Sequence, residues 1–181
     1  MINEVMQDAD HNMDQAVAHT IHEFGGIRTG RANPGLLSRI TVDYYGTQTP
    51  LQQIAGFSVP EARMLVIQPY DKTAIPAIER AIQEGDLGLN PSNDGNVIRL
   101  AVPSLTEERR KELIRLCRQL AEDGRIAIRN GRRHSKDHLE SEQVSEDDNR
   151  RAEKVLQTMT DKHIEKLDEA LLAKEEELLE V

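Results

Sequence analysis

The sequence predicts an α+β fold in which a small β/α/β domain is inserted into an antiparallel three-helix bundle. Apolar residues recur at steps of three and four over the first 29 residues and again after residue 104, as one face of a helix requires. Between these segments the apolar period changes to two, which is typical of half-buried strands. Three long amphipathic helices cannot bury their stripes alone, so they predict a bundle. The bundle would comprise residues 1–30 and 105–181, and the inserted domain residues 31–104.

The first helix is predicted over residues 1–29. Acids and histidines occupy one side of it, and the other side is an apolar stripe. The stripe consists of Ile2, Val5, Met6, Ala9, Met13, Ala16, Val17, Ile21, Phe24 and Ile27. Pro34 and Gly35 then prevent further helix, because proline cannot continue the hydrogen-bond ladder and glycine reverses the chain.

The inserted domain is predicted from short strand, helix and turn signals. Ile40, Val42 and Tyr44 alternate with more polar neighbours before a turn at Gly46, which indicates a half-buried strand. The other predicted elements are a strand at 64–67, a short helix with Ile75, Ile78 and Ile82 on its buried face, a turn at 90–96 and a strand at 97–102. About seventy residues are close to the lower limit for an independent core.

The second and third helices follow the inserted domain. Ser104 or Thr106 is expected to cap the second helix, which runs to about His138. A polar stretch at 141–149 predicts a bend or a break. The apolar stripe of the last helix consists of Val155, Leu156, Met159, Ile164, Leu167, Leu171 and Leu178.

Two neighbouring connections join the inserted domain to the bundle. One lies at Gly30, and the other includes Pro103, Ser104 and Leu105. Short connections of this kind are crossed by few contacts, so they predict a hinge between the two domains.

A run of cations at helical spacing distinguishes the second helix. Residues 105–137 carry 10 basic and 6 acidic residues, in a chain whose formal net charge is −9. Seven of the cations are three, four or seven residues apart and share one helix face, which we call the cationic stripe: Lys111, Arg115, Arg118, Arg125, Arg129, Arg132 and Lys136. The expected apolar face consists of Leu113, Cys117, Leu120, Ala127 and Ile128. A cationic face in an acidic protein indicates an anionic polymer, and we interpret it as a surface for RNA phosphates.

The plain alternative is a solvated helix face whose cations pair with acids of the last helix. Glu122 is the only acid on the cationic stripe, and seven aligned cations repel one another when they have no partner. Arg28 and Arg31 extend the expected RNA surface from the end of the first helix, although an arginine there can also act as a simple C-terminal cap.

Composition excludes several other classes of protein. With no tryptophan and only 3% aromatic residues, the chain has no stacking platform for single-stranded bases. The single cysteine excludes an internal disulfide and fits a reducing cytoplasm. No apolar run approaches the length of a membrane span, and the acidic N-terminus is unlike a signal peptide. Since three stripes can bury one another within one chain, we expect a cytoplasmic monomer.

No residue pattern in the sequence predicts a catalytic or metal site. His134, His138 and Glu142 are spaced by four and could face one ion, but no cysteine or HExxH pattern accompanies them. Cys117 lies on the apolar stripe and is expected to be a core residue. The glycine-containing turns lack the spacing and the lysine of a phosphate loop. We therefore expect a protein that is not an enzyme and binds no cofactor.

Five ordered motifs resemble the bacterial ribosome recycling factor family over essentially the whole chain. They are IRTGRANP at 27–34, YYG at 44–46, DLGLNP at 86–91, LTEERR at 105–110, and RN and RR within 129–133. The resemblance implies an L-shaped molecule with a three-helix bundle, an inserted β/α/β domain and a flexible elbow. It also implies binding in the intersubunit space of the post-termination ribosome, where elongation factor G and GTP hydrolysis drive the subunits apart.

The resemblance also implies roles for individual residues. The bundle would anchor on large-subunit ribosomal RNA, and elongation factor G would push the hinged small domain while hydrolysing the GTP itself. With the cationic stripe included, the candidate RNA-binding residues are Arg28, Arg31, Arg110, Arg118, Arg125, Arg129, Arg132 and Arg133.

Some positions depart from the family pattern and keep alternatives open. Gly131 stands where the family usually has a branched apolar residue, and His134 and the pair Gly25-Gly26 are also atypical. Gly124 and Gly131 fall on the core stripe, where each glycine weakens the helix by about 1 kcal/mol relative to alanine. A missing branched side chain at 131 would cost about a further 2–4 kcal/mol.

Two other functions therefore compete with ribosome recycling. One is a divergent paralogue that binds ribosomes without splitting them, as an inhibitor or stress factor. The other is a helical scaffold that binds only protein and whose cations are paired internally.

Overall fold

The computed structural model describes residues 1–180, which form two compact units. The helical unit comprises Met1–Arg28 and the chain from Thr106 onward, and the small unit comprises Thr29–Leu105. The boundaries expected from the sequence, after residues 30 and 104, lie close to these. In chain order the elements are α1 (Ile2–Gly25), β1 (Thr41–Tyr44), β2 (Thr47–Pro50), α2 (Leu51–Ile54), β3 (Ala55–Glu61), β4 (Met64–Pro69), α3 (Ile75–Glu84), β5 (Pro91–Asn93), β6 (Ile98–Ala101), α4 (Glu107–Ser141) and α5 (Glu146–Leu179).

The helical unit is the expected antiparallel three-helix bundle of α1, α4 and α5. Arg118 of α4 lies beside Glu175 of α5, and Lys136 lies beside Glu153, so the two helices run in opposite directions. Each of the three helices packs against the other two. Among residues 1–180, no helix combines the length and the apolar character that crossing a membrane would need.

Side chains from all three helices fill the core of the bundle. The buried apolar residues are Val5, Ala9, Met13, Val17, Phe24, Ile27, Leu113, Cys117, Ala121, Ile128, Leu139, Ala152, Leu156, Leu167 and Leu178. Thr20, Ser135, Thr160 and His163 are buried among them. The hydroxyls of Thr20 and Thr160 each donate to a carbonyl one turn earlier in the same helix, so these polar groups need no partner across the bundle.

Three residues assigned to the apolar stripes are exposed instead. Ile21, Ala127 and Val155 face solvent, whereas their neighbours Thr20, Ile128 and Leu156 are buried. Consecutive helical residues point about 100° apart, so both members of such a pair cannot face the same core.

α1 ends at Gly25, short of the predicted end at residue 29. The amides of Gly26 and Ile27 donate to the carbonyls of Glu23 and Phe24, three residues earlier, which tightens and closes the last turn. The glycine pair explains the early end, because glycine has the lowest helix propensity of the ordinary residues other than proline.

Side-chain caps define the starts of α4 and α5. Of the two predicted capping residues, Thr106 is the one that caps α4: its Oγ1 accepts a hydrogen bond from the Arg109 amide at 3.1 Å. Ser145 caps α5 in the same way, accepting from the Asp148 amide at 3.2 Å. α4 continues past the predicted end near His138, and the break between the helices is a short turn.

The small unit contains a two-stranded hairpin and a four-stranded sheet. β1 pairs with β2, the larger sheet has the order β3-β4-β6-β5, and every pairing is antiparallel. Its core contains side chains of the central strands and of α3, among them Leu65, Ile67, Ile78, Ile82, Ile98 and Leu100. The predicted strands correspond to β1, β4 and β6, whereas β2, β3 and β5 were not predicted.

The two connections to the helical unit lie side by side within the small unit. Gly30 has a φ of +74°, and a Cβ added there would lie 3.2 Å from Leu105 Cγ and 3.7 Å from the Pro103 carbonyl oxygen. The amides of Ala32 and Val102 donate to carbonyls in the turn between β3 and β4, each at 2.8 Å. Both connections are thus anchored to the same turn.

Candidate nucleic-acid interface

The cationic stripe of α4 lies along the seam between α4 and α5. Arg118 donates to Glu175 at 2.7 Å, and Arg125 donates to Asp168 of α5 and to Glu122 of its own helix. The expectation that these cations lack protein partners is wrong for this part of the stripe. α4 and α5 are antiparallel neighbours, so acids of α5 face cations of α4 that the sequence of α4 alone leaves unpaired.

Arg129 shares the carboxylate of Glu122 with Arg125. Its Nη1 lies 3.3 Å from Glu122 Oε1, while Arg125 Nη1 lies 2.9 Å from Oε2. The hydrogen bond from Arg125 lowers the pKa of Glu122 below its usual value, with smaller contributions from the charges of both arginines. Glu122 is therefore ionised at neutral pH and offsets part of the positive charge of the stripe.

At its far end, the C-terminal end of α4, the stripe keeps one cation that has no carboxylate partner among the described residues. Arg132 donates to the neutral amide oxygen of Gln157 at 2.8 Å, so its charge has no carboxylate partner there. Lys136 lies 3.3 Å from Glu153 of α5 and 3.8 Å from Glu140.

Some of the candidate RNA-binding side chains make no hydrogen bond or ion pair with any residue in the described chain. These are Arg28 and Arg133, which are exposed, and Arg110, which is half-buried. Arg31 belongs to the small unit and does interact within the chain. Its alignment with the cations of the bundle stays a prediction.

A cationic cavity of about 350 Å³ opens between α4 and α5. It is lined by Arg132, Lys136, Arg150, Glu153, Lys154, Leu156 and Gln157. Four of these seven residues are cationic, and they come from both α4 and α5. Sequence reasoning missed Arg150 and Lys154, although their position near the start of α5, opposite the end of an antiparallel α4, was a usable signal.

Among the described residues, the two histidines considered for metal binding do not form one group with Glu142. His138 lies 3.5 Å from Glu142, but His134 joins neither of them. Cys117 is fully buried, and its burial raises the pKa of the thiol above the usual value, as expected of a core residue. In the described residues, the group of side chains that could hold one ion is instead Asp10, Asp14 and His163.

Comparison with known proteins gives a consistent match. A model of the ribosome recycling factor family matches residues 20–179 of the chain. The ribosome-recycling factor of Acidothermus cellulolyticus is 54% identical over 185 aligned residues, and that of Thermobifida fusca is 52% identical over the same length. Each alignment covers 100% of both proteins.

Two solved structures agree with the fold described above. A solution structure of a ribosome recycling factor has a TM-score of 0.75 and 44% identity, covering 99% of this chain and 98% of that one. The second comes from models of the T. thermophilus ribosome recycling factor and the E. coli elongation factor G bound to the E. coli post-termination complex. It has a TM-score of 0.63 and 45% identity, covering 99% of this chain and 100% of that one.

Proposed function

The chain belongs to the ribosome recycling factor family, and we propose that it splits the post-termination ribosome into subunits together with elongation factor G and GTP. The observation that carries this proposal is the full-length identity of 52% and 54% to ribosome-recycling factors. The choice of partners is supported by the T. thermophilus relative, which is described bound with elongation factor G to a post-termination complex.

We place the contact with large-subunit ribosomal RNA at the far end of α4. Arg133 is exposed and has no partner in the described chain, and Arg132 is held only by an amide oxygen. Lys154 joins Arg132 around the same cavity, whereas Lys136, also in its lining, is paired with Glu140 and Glu153. Cations that are not neutralised within the protein gain most from a phosphate, because no carboxylate has to be displaced first.

The other candidate RNA-binding arginines differ in their surroundings. Arg125 has a side chain that is only 21% exposed and contacts two carboxylates, so its main role is to hold α4 against α5. Arg118 and Arg129 are more exposed, and water and salt weaken their ion pairs, so a phosphate can replace the carboxylate. Arg28, Arg31 and Arg110 would supply further contacts to the RNA.

The small unit is the part on which elongation factor G would act. It is joined to the bundle through Gly30 on one side and through Pro103, Ser104 and Leu105 on the other. Motion at these connections would let the small unit swing while the bundle stays bound to the RNA. The energy for splitting would come from GTP hydrolysis in elongation factor G, so the chain would catalyse no reaction of its own. We propose that it acts as a monomer in the cytoplasm, where ribosomes are recycled.

Ribosome splitting, followed by light scattering, tests the proposal. Post-termination ribosomes mixed with the protein, elongation factor G and GTP are expected to separate into subunits, and omission of any component should prevent this. Arg132→Ala and Arg133→Ala should each weaken ribosome binding. Removal of one bond to a phosphate should make the negative slope of log K against log salt less steep by about 0.9.

Arg109→Ala is the matched control because it removes the same charge from an exposed arginine of α4 that is paired with Glu112 and lies outside the cationic stripe. It should change binding much less than Arg133→Ala. An equal decrease in affinity in all three variants would show that net charge, and not the far end of α4, determines binding.

The same assays separate the competing functions. Binding without splitting would identify the non-splitting paralogue. Absence of co-sedimentation with ribosomes even at low salt would favour the protein-binding scaffold, which the internal pairing of Arg118 and Arg125 would fit.

A further inference from the structure

Three possible metal ligands converge on the surface of the bundle between α1 and α5, far in sequence from the cationic stripe. His163 Nε2 lies 2.9 Å from Asp14 Oδ1 and 3.4 Å from Asp10 Oδ1. The three ligand atoms all lie within 4.8 Å of one another. Asp10 and Asp14 are one helical turn apart, so both carboxylates face α5. Nothing in the proposed recycling function uses this group.

His163 directs its Nε2 at the two carboxylates. Its Nδ1 lies 2.7 Å from the Met159 carbonyl oxygen, which can only accept, so Nδ1 is the nitrogen that donates. Nε2 can then either donate a second proton to Asp14 or offer its electron pair to a cation held by the same carboxylates. The side chain is 5% exposed, so Nε2 finds its partner in this group and not in bulk water. A cation placed between the three atoms would satisfy all of them.

The arrangement matches that of a first-row metal site. Zinc bonds of about 2.0–2.2 Å to nitrogen and oxygen in a tetrahedron separate neighbouring ligands by about 3.3 Å. The Asp10 separation of 3.4 Å already fits, and the Asp14 separation of 2.9 Å needs only a small opening. The bond from Nδ1 to a backbone carbonyl is the outer-shell contact that commonly orients a metal-binding histidine.

The exposed side of the group leaves room for a further ligand. The side chains of Asp10 and Asp14 are 55% and 56% exposed, so water can take the fourth position. Lys166 Nζ lies 3.9 Å from Asp14 Oδ1, but its side chain is 62% exposed and can turn toward solvent.

We propose that Asp10, Asp14 and His163 bind one divalent transition-metal ion of the zinc class. An imidazole nitrogen with two carboxylates favours such ions over magnesium or calcium, which prefer oxygen ligands throughout. The ion links α1 to α5, two helices that are otherwise joined here by packing, by the bonds of His163 and by the ion pair between Lys166 and Asp14. Its binding therefore stabilises the bundle without taking part in RNA contact.

Cobalt titration of the untagged full-length protein tests the site. Removal of bound metal with a chelator, followed by stepwise addition of Co²⁺, should give the visible absorption of tetrahedral cobalt, saturating at one ion per chain. Zn²⁺ should displace the cobalt and raise the melting temperature, because a ligand that binds only the folded state stabilises it.

Asp10→Asn and Asp14→Asn should each weaken binding by at least about tenfold, since even outer-shell partners of metal ligands contribute ~10- to 100-fold. These exposed positions tolerate substitution, so the test does not depend on a variant of the buried His163. Asp8→Asn removes the same charge from an exposed acid of α1 outside the group and should bind cobalt normally.

Two results would overturn the proposal. One is the absence of both the cobalt spectrum and the rise in melting temperature. This result would indicate that a second proton on His163, and not a metal ion, lies between Nε2 and the carboxylates. The other is binding that survives both aspartate variants and disappears in His134→Gln or His138→Gln.

Discussion

Gly124 and Gly131 lie on the same side of α4 but have different surroundings. A Cβ at Gly124 would collide with Thr20 Oγ1 of α1 and lie 2.6 Å from Leu167 Cδ1 of α5. The three helices therefore approach so closely at this position that only glycine fits without a shift. At Gly131 the nearest atom is Met13 Cγ at 3.9 Å, an ordinary van der Waals contact. The first glycine is required by packing, and the second is not.

We expect opposite effects when these glycines are replaced by alanine. Gly131→Ala should raise the free energy of unfolding by about 0.5–1 kcal/mol, since alanine fits and favours the helix. Gly124→Ala should lower it by about 1–2 kcal/mol, because the cost of overpacking exceeds the gain in helix propensity. Urea denaturation of the two variants and the parent protein measures both changes. Equal stabilisation by both substitutions would contradict the close approach at Gly124.

The roles of such single residues could be predicted from the sequence only in part. Both were expected to weaken the helix, and for Gly124 the structure adds a packing reason for glycine, because a Cβ there would meet side chains of α1 and α5. His163 was likewise not recognised, since a histidine on an apolar stripe gives no sign of the two aspartates that meet it from α1. A role that depends on contact with a second helix can be predicted only when the packing of the two helices is known, and not from the pattern of one helix.

At the scale of elements, hydrophobic periodicity predicted the parts that bury a full face. All three bundle helices, β1, β4, β6 and α3 have such a face and were predicted. In β2, β3 and β5 most residues are exposed or half-buried. A strand that buries so few side chains does not produce apolar alternation, and Pro91 made β5 resemble a turn.

The cationic stripe shows the same limit. Its helical spacing could be predicted from α4 alone, but three of its acidic partners, Glu153, Asp168 and Glu175, come from α5. The register between two antiparallel helices is set by how their core side chains interlock, so it cannot be predicted from the number and spacing of the charges. The structure therefore divides one predicted surface into a partly neutralised middle and a far end that keeps one cation without a carboxylate partner among the described residues.

Releasing Arg129 from Glu122 should strengthen binding to ribosomal RNA. Glu122→Gln removes the carboxylate that Arg125 and Arg129 share, while Arg125 keeps Asp168 as a partner. If Arg129 then contacts a phosphate, affinity should rise and the salt slope should steepen by up to about 0.9. Co-sedimentation with ribosomes over a range of salt concentrations measures both.

Glu112→Gln is the control for that change. It produces the same change in net charge and also removes a carboxylate from an exposed arginine, Arg109, which lies outside the cationic stripe. An equal gain in affinity from both variants would assign the effect to net charge. No gain from Glu122→Gln would exclude Arg129 from the RNA contact.

At the scale of the whole molecule, the proposed function requires the small unit to move while the bundle remains bound. Gly30 is the position where this can be tested, because its φ of +74° and its 3.2 Å approach to Leu105 Cγ both oppose a larger residue. Gly30→Ala should force the two adjacent connections apart or shift Leu105. We expect it to slow splitting by elongation factor G while binding to the ribosome is retained.

Gly46→Ala separates a hinge defect from simple backbone strain. Gly46 is also in the small unit and has a nearly identical φ of +78°, but no atom lies within 4 Å of an added Cβ. Alanine in this left-handed region costs roughly 1–2 kcal/mol at either position. The stabilities of the two variants should therefore fall together, whereas only Gly30→Ala should slow splitting. If both variants split ribosomes at the same rate, the connection at Gly30 does not control the motion, and the hinge must be sought elsewhere in the chain.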